Sequence, residues 1–171
     1  MIPGGEAFRE AFPMATIVQG TMTLLARLML TTVFLWLTIA YKIPDFKATA
    51  ARMAMEGVPQ PKLALFCAIG VLLIGSLSVI AGAWARVGAL FLFAFLAAAT
   101  FYYHDFWKVQ DVNTRFSETW HFMKNLAIGG GLLMLAAYGP GPWSVDGWIE
   151  QKMAEAESSP GQRAARPAGK P

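Results

Sequence analysis

The chain has 171 residues, 56% of them hydrophobic and only 15% charged. Soluble domains are roughly half apolar and about a quarter charged, so this composition speaks against an ordinary water-soluble core. The net charge of +3 arises from basic residues scattered between apolar runs. They form no basic stripe of the kind a phosphate backbone requires, so no nucleic-acid partner is expected.

Residues 1–19 form a mixed segment containing Pro3, Gly4, Gly5 and Pro13, with Phe8 and Phe12 spaced for a short amphipathic turn on a membrane surface. Glu6, Arg9 and Glu10 lie where a cleaved export signal would have a basic start and an apolar core, so cleavage is not expected. Four apolar stretches follow: Thr21–Tyr41, Leu63–Trp84, Val87–Tyr103 and Phe122–Tyr138. A helix needs about 20 apolar residues to cross a hydrocarbon core of roughly 30 Å, and each stretch meets or nears that length. Val71–Ala83 and Ala89–Phe101 have no polar face at helical spacing, as a water-soluble helix would.

The first stretch ends in Tyr41-Lys42, an interfacial anchor, and Pro44 stops it. Asp45–Gly57 reads as a short surface helix rich in alanine and methionine, with Gly57 placed to end it. The second and third stretches are joined around Ala85-Arg86, a link short enough to force antiparallel neighbours. Tyr102–Thr119 reads as an aromatic and charged loop. The fourth stretch stops at Gly139-Pro140-Gly141-Pro142. The tail, residues 147–171, is rich in Ala, Pro, Gly, Ser and charge and is expected to be disordered from about residue 158.

Four spans place both termini on one side of the membrane. Seven basic residues flank the membrane on the loop side and four on the terminal side, which favours loops facing the cytoplasm. Ser78 with Gly82, and Ala127 with Gly131, have the spacing of close helix–helix contacts, and Gly129–Gly131 reads as a flat packing face.

Polar residues collect at the two ends. On the loop side His104, His121, Lys124, Asn125 and Lys42 are candidate ligand-binding residues, walled by Tyr102, Tyr103, Trp107 and Trp120. Imidazole, ammonium and amide donors suit the carbonyl oxygens of a quinone head, and a histidine can carry the accompanying proton. The plainer reading is interfacial anchoring, with Lys124 snorkelling and the aromatics forming a belt. On the terminal side Arg27 lies about two turns into the first span; an arginine at the bilayer centre costs at least ~2.5 kcal/mol, so this one is expected to reach the interface or pair with an acid. Asp146 is an available carboxylate for it, and Arg86 competes for that acid. These three form a candidate structural clamp. Two histidines are a weak metal signal, so no metal is expected. Cys67 stands alone, so no internal disulfide, haem-attachment or iron–sulfur motif is present. No catalytic constellation is assembled by spacing.

Several of these motifs together resemble the DoxX family of small bacterial four-span membrane proteins. They are Arg27-Leu28, Gly57-Val58-Pro59, Gly75, Gly82, Arg86, His104-Asp105-Phe106, Phe122-Met123-Lys124-Asn125-Leu126 and Gly139-Pro140-Gly141-Pro142-Trp143-Ser144-Val145-Asp146. The resemblance covers residues 27–146. It implies a multi-pass protein of the bacterial inner membrane, in some relatives tied to quinone-linked oxidation as an oxidoreductase subunit. Relatives often carry a glutamate where this chain has Leu72, so a proton relay through that acid is not expected here.

The expectation is an all-α integral-membrane antiparallel four-helix bundle. An N-terminal segment (1–19) precedes a four-span domain (20–146), and a tail (147–171) follows. It would be an accessory quinone-interacting redox subunit, or a non-catalytic membrane scaffold or assembly factor. Its partners would be the lipid bilayer and a redox enzyme or other membrane subunit. A small-solute carrier fits less well, because no span has a midplane acid or a proline break.

Overall fold

The computed structural model describes residues 13–164, with side chains described for 14–157. The expected amphipathic turn at Phe8 and Phe12 lies outside the described residues. Among the described residues the chain forms six α-helices: α1 (Pro13–Leu37), α2 (Phe46–Met55), α3 (Pro61–Ala81), α4 (Ala85–Tyr103), α5 (Val112–Tyr138) and α6 (Val145–Ala164). A π-helical turn, Thr38–Lys42, continues α1, and a 3₁₀ turn, Phe106–Lys108, follows α4.

Three helical stretches are long and apolar enough to cross a bilayer: Met14–Lys42, Pro61–Ala81 and Ala85–Lys108. α5 does not qualify on the same terms, because His121, Lys124 and Asn125 interrupt its apolar run. The segment expected as a loop up to Thr119 is corrected as well. α5 starts at Val112, where the Asp111 carboxylate accepts from the Thr114 backbone N–H at 2.8 Å and caps the helix. The helix therefore begins in the polar region and enters its apolar run later. At the other end α6 continues to Ala164, past the point where disorder is expected. Strong helix formers, Ala154 to Glu157, carry it forward.

Local chemistry explains the joints. Pro61 sits in the first turn of α3, where its missing N–H costs nothing. Gly82 closes α3 in the left-handed region at φ +67°, as a C-terminal glycine does. Trp84 follows at φ +54°, an unusual conformation for a bulky residue. What holds it there belongs to the site described below.

α4 packs between α3 and α5, and α1 lies against α3 and reaches α5. The core is formed by Phe34, Leu72, Val79, Ala89, Leu92, Leu96 and Leu132. Leu72 is therefore an apolar core residue. Glycines allow the close approaches. A Cβ on Gly129 would lie 3.2 Å from the Phe93 ring, and one on Gly131 would lie 3.0 Å from Leu30. The outer surface is apolar, with Met29 76% and Ile74 72% exposed. Lipid, which is as apolar as these side chains, is the solvent that such a surface fits.

Candidate functional site

The loop-side end is built on the C-terminus of α4 and the first half of α5. His104 terminates α4, and its Nδ1 lies 2.6 Å from Glu118 Oε2. Glu118 and His121 are three residues apart on α5 and so share a face. The His121 ring stacks on His104, with centroids 5.1 Å apart and planes 18° from parallel. Lys124 Nζ is 3.2 Å from His121 Nδ1. An ammonium has only donors, so His121 Nδ1 accepts and the ring carries its proton on Nε2. Beside them Phe122 meets Phe106 and Trp107 edge-on, at centroid distances of 5.4 Å and 6.3 Å. Asp105 pairs with Lys108 at 2.7 Å.

The other two candidates make contacts of their own. Asn125 donates from Nδ2 to Thr100 Oγ1 at 2.9 Å, one turn deeper along α4. Lys42 lies over the Phe95 ring, 6.0 Å from its centroid. Phe95 precedes His104 by nine residues, about two and a half helical turns. Lys42 and the histidines therefore approach α4 from opposite sides. Sequence spacing alone does not reveal this split, because it carries no information on which face of α4 meets α1.

Glu118 is the residue that sequence reasoning missed. It falls inside the segment read as loop. The signal for it was the helix start at Asp111 with Thr114 three residues on, which puts Glu118 and His121 on one helical face. Hydrogen bonds from the Thr114 backbone and side chain hold the Asp111 carboxyl below the usual carboxylate range.

At the terminal side Arg27 is 1% exposed. Its Nη1 donates to Ile80 O at 3.0 Å and Val79 O at 3.5 Å, and its Nη2 donates to Trp143 O. Its Nε reaches Thr23 O at 3.4 Å. The guanidinium thus serves the C-terminal turn of α3, where Val79 O also accepts from Gly82 N–H and Ile80 O is among the carbonyls a helix leaves without an intrahelical donor. Asp146 faces the helix that follows. Its two carboxylate oxygens accept from the Trp84 and Ala85 backbone N–H groups at 2.9 Å and 3.0 Å. Its own N–H donates to Gly82 O at 2.8 Å. These bonds fix Trp84 in its left-handed conformation. Arg86 donates to Ala136 O and Ala137 O, at 3.2 Å and 2.6 Å, and so closes the C-terminus of α5.

The expectation that Arg27 or Arg86 pairs with Asp146 is corrected. Among the described residues neither arginine forms an ion pair; each charge is directed to backbone instead. The reason is geometric. Helix ends converge at this point, and each offers several unpaired N–H or C=O groups to a charged side chain. The Gly139–Asp146 segment supplies the Trp143 carbonyl, the Asp146 carboxylate and Ser144, whose Oγ accepts from Gly147 N at 3.0 Å to cap α6.

Three long apolar helices with an apolar outer surface, and with most polar groups gathered towards their ends, define a multi-pass integral membrane protein. A family model described as DoxX matches residues 22–105. Inner membrane protein YqjF of Escherichia coli (strain K12) is 35% identical over 114 residues, 65% of this chain and 79% of that protein. Inner membrane protein YphA of the same organism is 31% identical over 106 residues, 61% of this chain and 74% of that protein. No solved structure matches. The chain belongs to the DoxX family, and its place is the bacterial inner membrane.

Proposed function

We propose that α5 crosses the bilayer as a fourth span and completes an antiparallel four-helix bundle, and that this bundle is an accessory redox subunit binding a quinone headgroup at its loop-side end. The fourth span is supported by the exposed apolar side chains Leu126, Leu133 and Met134 along the second half of α5. Lys124 can extend its ammonium to the interface from this helix.

The observation that carries the ligand reading is the stacked histidine pair, one ring held by a carboxylate and the other by an ammonium. In this reading His121 Nε2–H and the Lys124 ammonium donate to a quinone carbonyl. Trp107 and Phe122 provide the flat apolar wall, and the His104–Glu118 pair exchanges the proton. The sequence has no cysteine cluster or haem-attachment motif, so electrons would come from a partner enzyme.

The test is a titration of the full-length protein in lipid nanodiscs with a short-chain ubiquinone analogue, read by tryptophan fluorescence. Saturable quenching is expected. His121→Ala with Lys124→Ala should weaken it about tenfold or more, the loss that goes with one hydrogen bond to a charged group, with the melting temperature unchanged. Absence of saturable quenching in the wild-type protein would overturn the reading.

A second reading, a non-catalytic membrane scaffold or assembly factor, is favoured by the terminal end. There Arg27, Arg86 and Asp146 all bond to backbone at helix ends, as clamp residues would. Under it, Arg27→Ala lowers membrane abundance, and no loop-side variant alters any binding.

A further inference from the structure

α6 is amphipathic in the reverse sense to a helix docked on a soluble protein. Its side turned to the rest of the chain is polar: Gly147, Glu150 and Gln151 line a groove of about 400 Å³ together with Gln19 and Arg86. Its outer side is apolar. Val145, Ile149 and Met153 recur every four residues, with Trp148 one turn from Val145, and all four are exposed. Trp148 and Met153 are each 60% exposed.

The level of this helix is set by the fold. The bonds from Asp146 to Gly82, Trp84 and Ala85 tie its first turn to the turn between α3 and α4, at the end of two membrane-crossing helices. Trp84, Tyr138 and Trp143 are exposed at the same end, where an interfacial aromatic belt is expected. The apolar face of α6 is thus continuous with the lipid-facing surface.

We propose that α6 lies along the bilayer surface with Val145, Trp148, Ile149 and Met153 set into the boundary between headgroups and acyl chains, so that the polar groove faces the protein. Lys152, which falls within the apolar arc, is paired with Glu155 at 2.8 Å, and this pair extends outward to the headgroups. The helix carries Asp146, Glu150, Glu155 and Glu157 against Lys152 and Arg163. Its attachment is therefore apolar, requires no anionic lipid and is insensitive to salt.

The test uses the full-length protein with Cys67→Ser, spin-labelled at Met153→Cys or at Glu150→Cys, in phosphatidylcholine vesicles. Collision rates with oxygen, which concentrates in lipid, and with a water-soluble nickel chelate are measured by power saturation. The expected oxygen-to-nickel ratio at position 153 exceeds that at 150 by about threefold or more, and is unchanged in high salt. Equal and high nickel access at both positions would overturn the proposal by placing the helix in water. Spin–spin broadening at 153 that fades on dilution with unlabelled protein would also overturn it, since a second copy would then cover the face. Hydrogen exchange gives a check free of labels. A Trp148→Ser, Met153→Ser variant should exchange faster than wild type over residues 148–153, and equal rates would contradict lipid contact.

Discussion

The two ends of the bundle use charge differently. At the terminal end Arg27, Arg86 and Asp146 bond to backbone groups at helix termini contributed by other parts of the chain. At the loop end the charged and ring side chains bond to one another: His104 with Glu118, Lys124 with His121, Asp105 with Lys108. Backbone groups cannot move away or change protonation, so the first arrangement fixes the fold. Side-chain pairs at a half-exposed surface contribute little stability and can exchange partners or protons. The difference separates an end that holds the helices from the end at which we propose a ligand binds.

Arg27→Met should show the largest effect. It removes the guanidinium donors from the part-buried carbonyls of Ile80 and Trp143, for a loss of about 2–3 kcal/mol. Chemical denaturation in detergent micelles measures it, and a loss below about 1 kcal/mol would erase the contrast between the ends. Gly82→Ala should follow at about 2 kcal/mol. Part is the cost of a left-handed alanine, and part is the contact of its Cβ with Ser144 and Arg27. Asp146→Ala should cost about 1–2 kcal/mol as a lost helix cap, and Asp146→Asn should recover part of it. At the loop end, His104→Ala or Glu118→Gln should cost less than about 1 kcal/mol. A larger loss would show that the loop side is structural as well.

Smallest is a pH effect at the start of α5. Hydrogen bonds from Thr114 depress the Asp111 carboxyl in the folded protein. Its contribution is therefore complete above the ordinary carboxylate range and is lost as pH falls through the depressed value. Melting temperatures of wild type and Asp111→Ala should converge at low pH and separate near neutrality. Parallel curves would remove Asp111 as the source.

The apolar part of the fold was legible in the residues. Long apolar runs marked α1, α3 and α4, the short link around Ala85-Arg86 marked the antiparallel turn between α3 and α4, and the Ala- and Met-rich segment marked α2; Gly82, read as a packing residue inside the second stretch, instead ends α3. Hydropathy reads only what lies in lipid, so it missed the polar beginning of α5 and with it Glu118. The three terminal-side residues were recognised as belonging together because they share a membrane side. Their partners were not, because opposite charges suggest an ion pair while backbone acceptors such as the Trp143 carbonyl leave no trace in sequence. Lys42 and His104 share a membrane side, but only the placement of Phe95 on α4 shows that they approach that helix from opposite faces.

Hydrogen exchange across Gly82–Arg86 in the wild-type protein, held in lipid nanodiscs, tests the contrast most directly. The Trp84 and Ala85 amides lie at a tight turn and at the first position of a helix, where amides lack an intrahelical acceptor. Bound to Asp146, they should exchange far more slowly than the amides of Asp105–Gln110 at the opposite end. Equal rates at the two turns would contradict the account.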